Sequence, residues 1–420
     1  MDNPGLTAIF ADMRHDSDLL IVGGGLNGPL LALAAAQAGF SATVIDAGDS
    51  AAQRSDNFDG RSYALALASQ RMLAALGLWD GLDANAQPML DIKVTDGRAG
   101  EGPAPFGLHF VHHEIEEGPM GFMVEDRYLR RSLLDAITAH PAVTHLTGER
   151  VVAQDTGPAH ATVTLASGRA LTGRVLAGCD GRASGTAQRA GIQRSGREYG
   201  QTALVCAISH EKPHNGVAHQ FFMPAGPLAI LPLTGNRSSI VWSETARMAA
   251  EINALSDEDY LTILRPRFGD FLGEIALAGE RFTYPLSLTL AQSLTAPRLV
   301  LVGDAAHGMH PIAGQGLNAG FRDIAALSEV LADARRRGED IGAPLVLARY
   351  AEWRRFDTAT LAGATDAFNL LFSNDNPLLR AGRDLGMGLV NAIPALRRGF
   401  IREAAGLTGD LPRLMRGEPL

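Results

Sequence analysis

The chain has 420 residues, of which 46% are hydrophobic and 20% are charged, and its formal net charge is −9. This length exceeds one ordinary hydrophobic core, so we expect two or three subdomains. The acidic balance argues against nucleic acid as a partner. No apolar run approaches the roughly 18 residues of a membrane-spanning helix, and the first residues lack the apolar region of a signal peptide. Two cysteines give neither a disulfide framework nor metal-ligand spacing, so we expect a cytoplasmic protein without a metal site.

The first predicted unit is a strand, a tight turn, a helix and a second strand. Leu19 to Val22 form a short apolar run that is typical of a buried parallel strand. The turn carries the G-x-G-x-x-G pattern at Gly23, Gly25 and Gly28. In this pattern the first glycine permits the turn, the second lets backbone approach a pyrophosphate, and the third lets the helix pack on the strand.

The surroundings of this turn indicate a dinucleotide site. The helix begins near Asn27, and its unpaired N–H groups, with their partial positive charge, suit a phosphate. Leu26 and Asn27 lie in the loop and are expected to contact the cofactor. Asp46 ends the second strand, 21 residues after Gly25, and this spacing suits a hydrogen bond to a ribose. The alternative is a tight turn that binds no ligand.

Two more acidic residues follow apolar strands later in the chain. Asp180 comes directly after a run that ends near Gly178, and Asp304 comes after Leu299 to Val302 and Gly303. Acidic residues at the carboxyl ends of parallel strands lie in the crevice where such folds bind ligands. A flavin nucleotide carries an open ribitol chain whose hydroxyl groups need an acceptor, and Asp304 is placed to provide one.

The segment that follows Asp304 is rich in glycine, at Gly303, Gly308, Gly314 and Gly316. Because glycine has no Cβ, a large flat ring can approach such a backbone. From Gly316 onward apolar residues recur at helical spacing, so the N-terminus of a helix points back at this segment. Reduced flavin carries negative charge on its pyrimidine ring, which a helix N-terminus stabilises. We predict that the segment is arranged around a flavin.

These three motifs, in this order, resemble those of the FAD-dependent aromatic hydroxylases that share the fold of 4-hydroxybenzoate hydroxylase. The run HPIAGQGLNAGFRD, residues 310–323, is similar to the signature of the branch that hydroxylates polyprenylphenols and methoxyphenols in ubiquinone biosynthesis. The resemblance covers nearly the whole chain from residue 18 onward. In one departure, the D-G motif of the family continues to an arginine where this chain has Ala187, with Arg189 two residues later.

The resemblance implies an α/β fold with a Rossmann-like FAD-binding domain, an antiparallel β-sheet substrate domain and C-terminal helices. Short β-rich runs separated by Pro, Gly and Asn support the second sheet. The predicted boundaries are a flexible N-terminus, residues 1–17; a discontinuous FAD-binding domain, residues 18–88, 126–190 and 295–340; a substrate domain, residues 89–125 and 191–294; and a C-terminal helical region, residues 341–420.

The implied activity is that of a monooxygenase. NAD(P)H would reduce FAD, and O2 would supply the oxygen atom that enters the ring of a polyprenylated phenol. Two alternatives stay open: a hydroxylase of the same fold that acts on a small soluble aromatic acid, and a non-catalytic flavin-binding scaffold in a biosynthetic complex. A disulfide reductase is excluded because the chain has no C-x-x-C pair.

The resemblance also implies roles for individual residues. Arg61 corresponds to an arginine near the FAD pyrophosphate, and the alternative is a surface arginine before a helix. Arg127 would contact the flavin or lie exposed on a helix. Val151 would lie beside the adenine. Leu317 and Asn318 would offer backbone N–H groups to the edge of the pyrimidine ring.

Two histidines lie in the glycine-rich segment. Pro311 aligns with a family proline whose backbone lies beside the reactive ring, and His310 is its neighbour. An imidazole there could take a proton from a phenol, and the alternative is a structural histidine. His307 and His310 have the three-residue spacing of helical metal ligands, but Pro311 and the glycines oppose a helix, and no further ligand completes a set.

The C-terminal stretch differs in charge from the rest of the chain. Residues 376–420 contain seven arginines and four acidic residues, which gives a net charge of +3. These arginines alternate with large apolar residues, a pattern that suits an anionic membrane surface. An ordinary terminal helix with a solvated face is the alternative. A polyprenyl tail is insoluble, so the enzyme must collect its substrate from a membrane or from a complex of biosynthetic proteins.

Overall fold

A computed structural model describes residues 15–49, 53–100, 102–308, 315–355 and 390–420. The strands, numbered in chain order, are β1 (Ser17–Val22), β2 (Ala42–Asp46), β3 (Ser62–Ala66), β4 (Ala86–Met89), β5 (Asp91–Arg98), β6 (Gly102–Val111), β7 (Gly121–Glu125), β8 (Val143–Thr147), β9 (Val151–Thr156), β10 (Ala161–Leu165), β11 (Ala170–Gly178), β12 (Arg194–His210), β13 (Val217–Met223), β14 (Gly226–Leu233), β15 (Arg237–Thr245), β16 (Ile275–Leu277), β17 (Phe282–Ala291), β18 (Thr295–Ala296), β19 (Leu299–Leu301) and β20 (His307–Gly308). The helices are α1 (Asn27–Gln37), α2 (Leu67–Ala75), α3 (Asp126–Ala139), α4 (Gly185–Arg189), α5 (Ala246–Asn253), α6 (Asp257–Phe268), α7 (Gln315–Arg336) and α8 (Pro394–Ala404). Residues 344–355 are also helical.

The first sheet has a parallel centre, as expected for a nucleotide-binding fold. Strands β19, β11, β1, β2 and β8 lie side by side in this order, and each neighbouring pair is parallel. β9 and β10 form an antiparallel extension on β11, and β18 pairs with β19. Helices α1 and α7 pack against each other, and apolar residues of both belong to the largest buried core.

Helix α1 ends at Gln37 and is followed by Gly39, the residue type that commonly terminates a helix. Gly39 adopts a φ of +84°, a conformation that costs glycine little. The backbone N–H of Gly39 donates to Ala36 O at 2.9 Å, and that of Phe40 donates to Ala35 O at 3.0 Å. This pair of bonds is the Schellman motif, which satisfies carbonyl groups at the end of the helix. The chain then turns directly into β2.

The second sheet has nine strands in the order β20, β17, β12, β15, β14, β13, β5, β6, with β16 also paired to β12. All pairs are antiparallel except β5 with β13, which run parallel. The predicted sheet is therefore confirmed with one exception, because β5 enters it from a distant part of the chain rather than through a hairpin. Helices α5 and α6 cover one face of this sheet.

A third, three-stranded sheet in the order β3, β7, β4 lies between the two large ones. Met89 of β4 and Met123 of β7 pack against Ala207 and Ala218 of the second sheet. The division of the chain into domains at the boundaries given above stays a prediction.

Helix α8 packs on β6 near the end of the chain. Its Arg397 Nε donates to Glu114 Oε2 at 2.8 Å, and Arg402 pairs with Glu117. Of the helices that the structure describes, none has both the length and the apolar character to span a membrane.

Candidate functional site

The three predicted motifs lie in loops that emerge from the same edge of the first sheet. β19, β11 and β1 are adjacent parallel strands, so the loops that begin at Gly23, Asp180 and Gly303 emerge side by side. The backbone N–H of Cys179 donates to Val22 O at 2.8 Å and extends the ladder to the strand ends. The structure therefore brings together residues that lie up to 280 positions apart in the sequence.

The glycine loop after β1 leaves its backbone open to a ligand. A Cβ on Gly28 would stand 1.9 Å from the carbonyl oxygen of Gly23, so the approach of α1 to the loop requires glycine. A Cβ on Gly25 would meet no atom of the described residues within 4 Å. Helix α1, which is described throughout, has no acidic residue in its first turn. The backbone at Gly25 is therefore free to receive a phosphate at the positive end of a helix.

Asp46 lies at the end of β2, against this loop. A Cβ on Gly24 would stand 2.2 Å from its Oδ2 atom. Its Oδ1 accepts the backbone N–H of Gly48 at 2.9 Å, and its Oδ2 accepts a hydrogen bond from Gln53 Nε2 at 2.7 Å. Each carboxylate oxygen can accept a second hydrogen bond. The predicted contact with a ribose is compatible with this geometry and stays a prediction.

Asn27 connects the first loop with the third. Gly303 has a φ of +62°, and a Cβ there would stand 2.1 Å from Asn27 Nδ2. A Cβ on Gly320 of α7 would stand 2.8 Å from the same atom. The Oδ1 atom of Asn27 is buried and has no hydrogen-bond partner among the described residues. Asn27 therefore sets the spacing between the glycine loop and α7.

Asp180 shapes the second loop. Its Oδ1 accepts a hydrogen bond from Ser184 Oγ at 2.5 Å, and its Oδ2 accepts from the backbone N–H and the hydroxyl of Thr186, both at 2.9 Å. Ser184 also caps α4, because its Oγ accepts the N–H of Ala187 at 3.0 Å. Arg189 donates to Gln154 Oε1 at 3.0 Å. The turn is thus held by the hydroxyl groups of Ser184 and Thr186 and by backbone, and Arg189 Nη2 lies 3.5 Å from Thr186 Oγ1.

Asp304 lies at the mouth of the crevice. Arg182 Nε is 3.4 Å from its Oδ2, and both side chains are about 40% exposed, at 39% and 40%. A pair this exposed contributes little to stability, and its carboxylate remains accessible to a ligand hydroxyl group. The predicted contact with ribitol stays a prediction.

Helix α7 begins at Gln315 and is fixed at its first turn by Asn318. Asn318 Oδ1 accepts the N–H of Ala66 at 2.8 Å and the hydroxyl of Ser69 at 2.7 Å, and its Nδ2 donates to Ala64 O at 2.8 Å. Sequence reasoning assigned Asn318 only a backbone role and missed this clamp. The clamp therefore fixes the position of the first turn of α7, and the predicted contacts of the Leu317 and Asn318 backbone with the pyrimidine ring stay predictions.

A buried charged network supports the third loop, and sequence reasoning did not find it. Asp323, on α7, is fully buried, as is His307, and Arg354 is 2% exposed. Asp323 Oδ2 contacts His307 Nε2 at 2.6 Å and accepts the backbone N–H of Gly303 at 2.9 Å. Its Oδ1 accepts from Arg354 Nε at 2.7 Å. The loop that carries Asp304 is therefore tied to α7 through one carboxylate.

The network perturbs both titratable partners. Burial alone would lower the pKa of His307, but the charge and the hydrogen bond of Asp323 raise it above its ordinary value. Burial alone would raise the pKa of Asp323, but His307 and Arg354 together lower it. The sequence did carry a sign of this network, because Asp323 lies four positions before Leu327, on the apolar face of a predicted helix.

Arg61 lies in an ionic cluster directly before β3, and both its predicted contact with the FAD pyrophosphate and the alternative of a surface arginine stay predictions. Its Nη2 is 2.7 Å from Asp59 Oδ2 and 3.6 Å from Asp126 Oδ2. Asp126 also binds Arg130 at 2.7 Å and accepts the hydroxyl of Tyr63 at 2.7 Å. Burial alone would raise the pKa of Asp126, but Arg130, Tyr63 and Arg61 lower it. The guanidinium of Arg61 is 38% exposed, so a face of it remains available to a phosphate.

Arg127 forms an ion pair with a buried carboxylate, which neither of its two predicted roles included. Its Nε donates to the buried Glu125 Oε2 at 2.8 Å, and Glu125 Oε1 accepts from Arg237 at 2.7 Å. The ring of Phe58 lies near both guanidinium groups, 5.4 Å from that of Arg127 and 5.0 Å from that of Arg237. Arg127 is neither an exposed helix residue nor free of partners. A contact with the flavin stays a prediction.

Two other predicted cofactor residues are buried near the loops. Leu26 is 8% exposed and belongs to the large core, and Val151 begins β9 with 6% of its surface exposed. His310, Pro311 and Gly314 lie outside the described residues, so their predicted roles stay predictions.

Comparison with known proteins agrees with this geometry. Residues 16–356 match the model of a family described as FAD binding domain. The chain belongs to this family, and it is an FAD-dependent aromatic hydroxylase. Over 407 residues it is 46% identical to ubiquinone hydroxylase UbiL of Rhodospirillum rubrum, covering 96% of this chain and 94% of that protein. It is 33% identical to 3-demethoxyubiquinol 3-hydroxylase of Escherichia coli over 397 residues, 94% of this chain and all of that protein, at 100%.

The fold is also that of solved flavin hydroxylases. The structure of p-nitrophenol 4-monooxygenase PnpA from Pseudomonas putida superposes with a TM-score of 0.79 at 19% identity, covering 94% of this chain and 99% of that one. The predicted fold class and the predicted FAD cofactor are confirmed. The open backbone at Gly25, the accessible carboxylate of Asp304 and the oriented end of α7 fit the phosphate, the ribitol and the ring of this cofactor.

Proposed function

We propose that this protein hydroxylates the aromatic ring of a polyprenylated phenol in ubiquinone biosynthesis, with NAD(P)H as electron donor and O2 as oxygen source. The observation that carries the proposal is the convergence of three cofactor loops at one sheet edge, beneath the face of the second sheet that α5 and α6 leave uncovered. The relative with 46% identity, which matches over 94% of its length, is named a ubiquinone hydroxylase, and this supports the substrate class.

FAD, when bound, supplies the redox chemistry by taking electrons from NAD(P)H and activating O2. The backbone at Gly25 and the N-terminus of α1 would hold its pyrophosphate, with Arg61 beside it. Asp46 would bind the ribose and Asp304 the ribitol. The first N–H groups of α7, oriented by Asn318, would stabilise negative charge on the ring.

Purified protein reconstituted with FAD tests the proposal. We expect a yellow protein whose oxidation of NAD(P)H accelerates when a short-chain prenylated phenol is added, with a product that has gained one oxygen atom. Faster oxidation with a small aromatic acid, and none with the prenylated phenol, would favour the alternative substrate. FAD binding without substrate-stimulated oxidation of either nicotinamide would favour a non-catalytic scaffold.

The surface of α8 supports a membrane contact for an insoluble substrate. Ile393, Leu396 and Phe400 are exposed at 38%, 46% and 42%, and they follow one another at helical spacing. Arg398 is exposed on the same helix. We propose that this apolar stripe, in a C-terminal stretch whose net charge is +3, binds the surface of an anionic bilayer.

The double variant I393E/L396E should bind anionic phospholipid vesicles at least about tenfold more weakly, because each lost apolar side chain contributes roughly 1.5 kcal/mol or more when buried. Sedimentation with vesicles measures this. L345E is the matched control, because Leu345 is 80% exposed at a different site. If the wild-type protein does not bind vesicles but co-purifies with other biosynthetic enzymes, the result would favour a protein complex over a membrane as the partner.

A further inference from the structure

The second sheet presents one face to the flavin-binding part of the chain. On β13, Phe221 points toward α5 and α6, because it belongs to the same core as Trp242 and Tyr260. Side chains alternate along a strand, so Gln220 points to the opposite face. Ala218, on that same face, packs against Met123 of the three-stranded sheet.

A single row of side chains crosses this face on six neighbouring strands. The pairing register places these residues opposite one another: Val205, Val241, Ala229, Gln220, Val94 and Leu108. All six are half-buried. Five of them are apolar, and Gln220, at the middle of the row, is polar.

One end of the row reaches the cofactor site. Val205 pairs with Phe282 of β17, and the ring of Phe282 lies 5.7 Å from the guanidinium carbon of Arg61. Farther along β17, Leu288 and Leu290 pack against Ala319 in the first turns of α7. The row therefore faces the region between the third cofactor loop and the second sheet.

Keeping Gln220 in this position costs stability. Its Nε2 atom is buried and donates no hydrogen bond to any part of the chain that the structure describes. A buried donor without a partner costs stability, whereas an apolar side chain of similar size would not. A donor within an apolar row that ends beside Arg61 is the arrangement of a ligand-orienting group.

We infer that the Gln220 amide binds the second ring oxygen of the aromatic substrate, with Nε2–H donating to a methoxy or second hydroxyl oxygen. This inference rests on the proposed function. The ring lies against the apolar neighbours Val94, Ala229 and Val241, and the hydrogen bond fixes its rotation in its own plane. Gln220 thus helps to determine which ring carbon faces the flavin and which phenols are accepted.

The test compares wild type with Gln220→Leu on two substrates, a prenylated phenol with a methoxy or second oxygen substituent and the analogue that lacks it. We expect kcat/KM of the variant to fall about tenfold for the oxygenated substrate, the typical effect of one lost hydrogen bond. For the analogue it should change little, so the discrimination between the two collapses. FAD affinity should be unchanged, and Tm should stay equal or rise because an unpaired buried donor has been removed.

The control is Val241→Leu, which enlarges a neighbour in the row without adding or removing a polar group. It should change KM for both substrates alike and leave their ratio intact. Equal discrimination by Gln220→Leu and wild type, or a loss of Tm in Gln220→Leu, would overturn the inference, since the amide would then have a structural role. Failure of the proposed function is distinguishable, because wild type itself would then oxidise no NAD(P)H in response to a phenol.

Discussion

Replacing Gly25 with glutamate is expected to abolish FAD binding and leave the protein folded. A Cβ at this position meets no atom within 4 Å in the part of the chain that the structure describes, so we expect the fold to tolerate a side chain. The same side chain fills the space in front of the backbone at the start of α1 and places a carboxylate against the pyrophosphate. We expect FAD affinity to fall by at least about 100-fold, or roughly 2.8 kcal/mol, in a fluorescence titration of the apoprotein.

Gly81→Glu is the matched control for this variant. A Cβ on Gly81 would likewise meet no described atom within 4 Å, and the residue is exposed and belongs to none of the three loops. The control should bind FAD like wild type, and both variants should keep the far-UV circular dichroism of wild type. An unchanged FAD affinity in G25E would mean that the pyrophosphate lies elsewhere.

Asp323→Asn is expected to cause a larger loss of stability than any other substitution proposed for this protein. The substitution removes the carboxylate charge that accepts from the buried Arg354 and contacts His307, and removing one partner of a buried ion pair typically costs about 3–5 kcal/mol. Urea denaturation of the apoprotein measures the free energy of unfolding directly. Asp333→Asn, on the same helix, is the control, because Asp333 is 38% exposed in its pairs with Arg336 and Arg413 and should cost at most about 1 kcal/mol.

The difference between wild type and Asp323→Asn should depend on pH. The lowered pKa of Asp323 contributes stability above the unfolded value near 3.8, and this is lost as pH falls through the folded pKa. The raised pKa of His307 contributes stability that is complete below its unfolded value near 6.5 and is lost as pH rises through the folded pKa. The difference should therefore be largest between about pH 4 and 6.5 and shrink on either side. A difference that stays the same from below about pH 4 to well above pH 6.5 would contradict the assignment of charges.

The elements that carry a local signal were predictable from the sequence. The strand, turn and helix around Gly23 to Gly28, the C-cap at Gly39 and the long helix that begins near Gly316 each have a periodicity or a residue type that only one structure satisfies. The meeting of the three loops at one sheet edge followed from the rule that parallel strands present their carboxyl ends together.

Other features depend on contacts that no local pattern encodes. The parallel pairing of β5 with β13 joins strands separated by more than a hundred residues, and neither strand differs in composition from an antiparallel neighbour. Asp323, His307 and Arg354 come from three elements, so their meeting required the packing of α7 and of the helical residues 344–355. The role inferred for Gln220 depends on the pairing register of six strands, which no local sequence pattern specifies.

The most direct test of the account supplies the FAD-loaded protein with NAD(P)H, a short-chain prenylated phenol and isotopically heavy O2, and follows the product by mass spectrometry. We expect a phenol whose ring has gained one heavy oxygen atom, with one NAD(P)H oxidised for each oxygen atom incorporated. Nicotinamide oxidation with no heavy oxygen in the ring, or oxygen drawn from water, would contradict it.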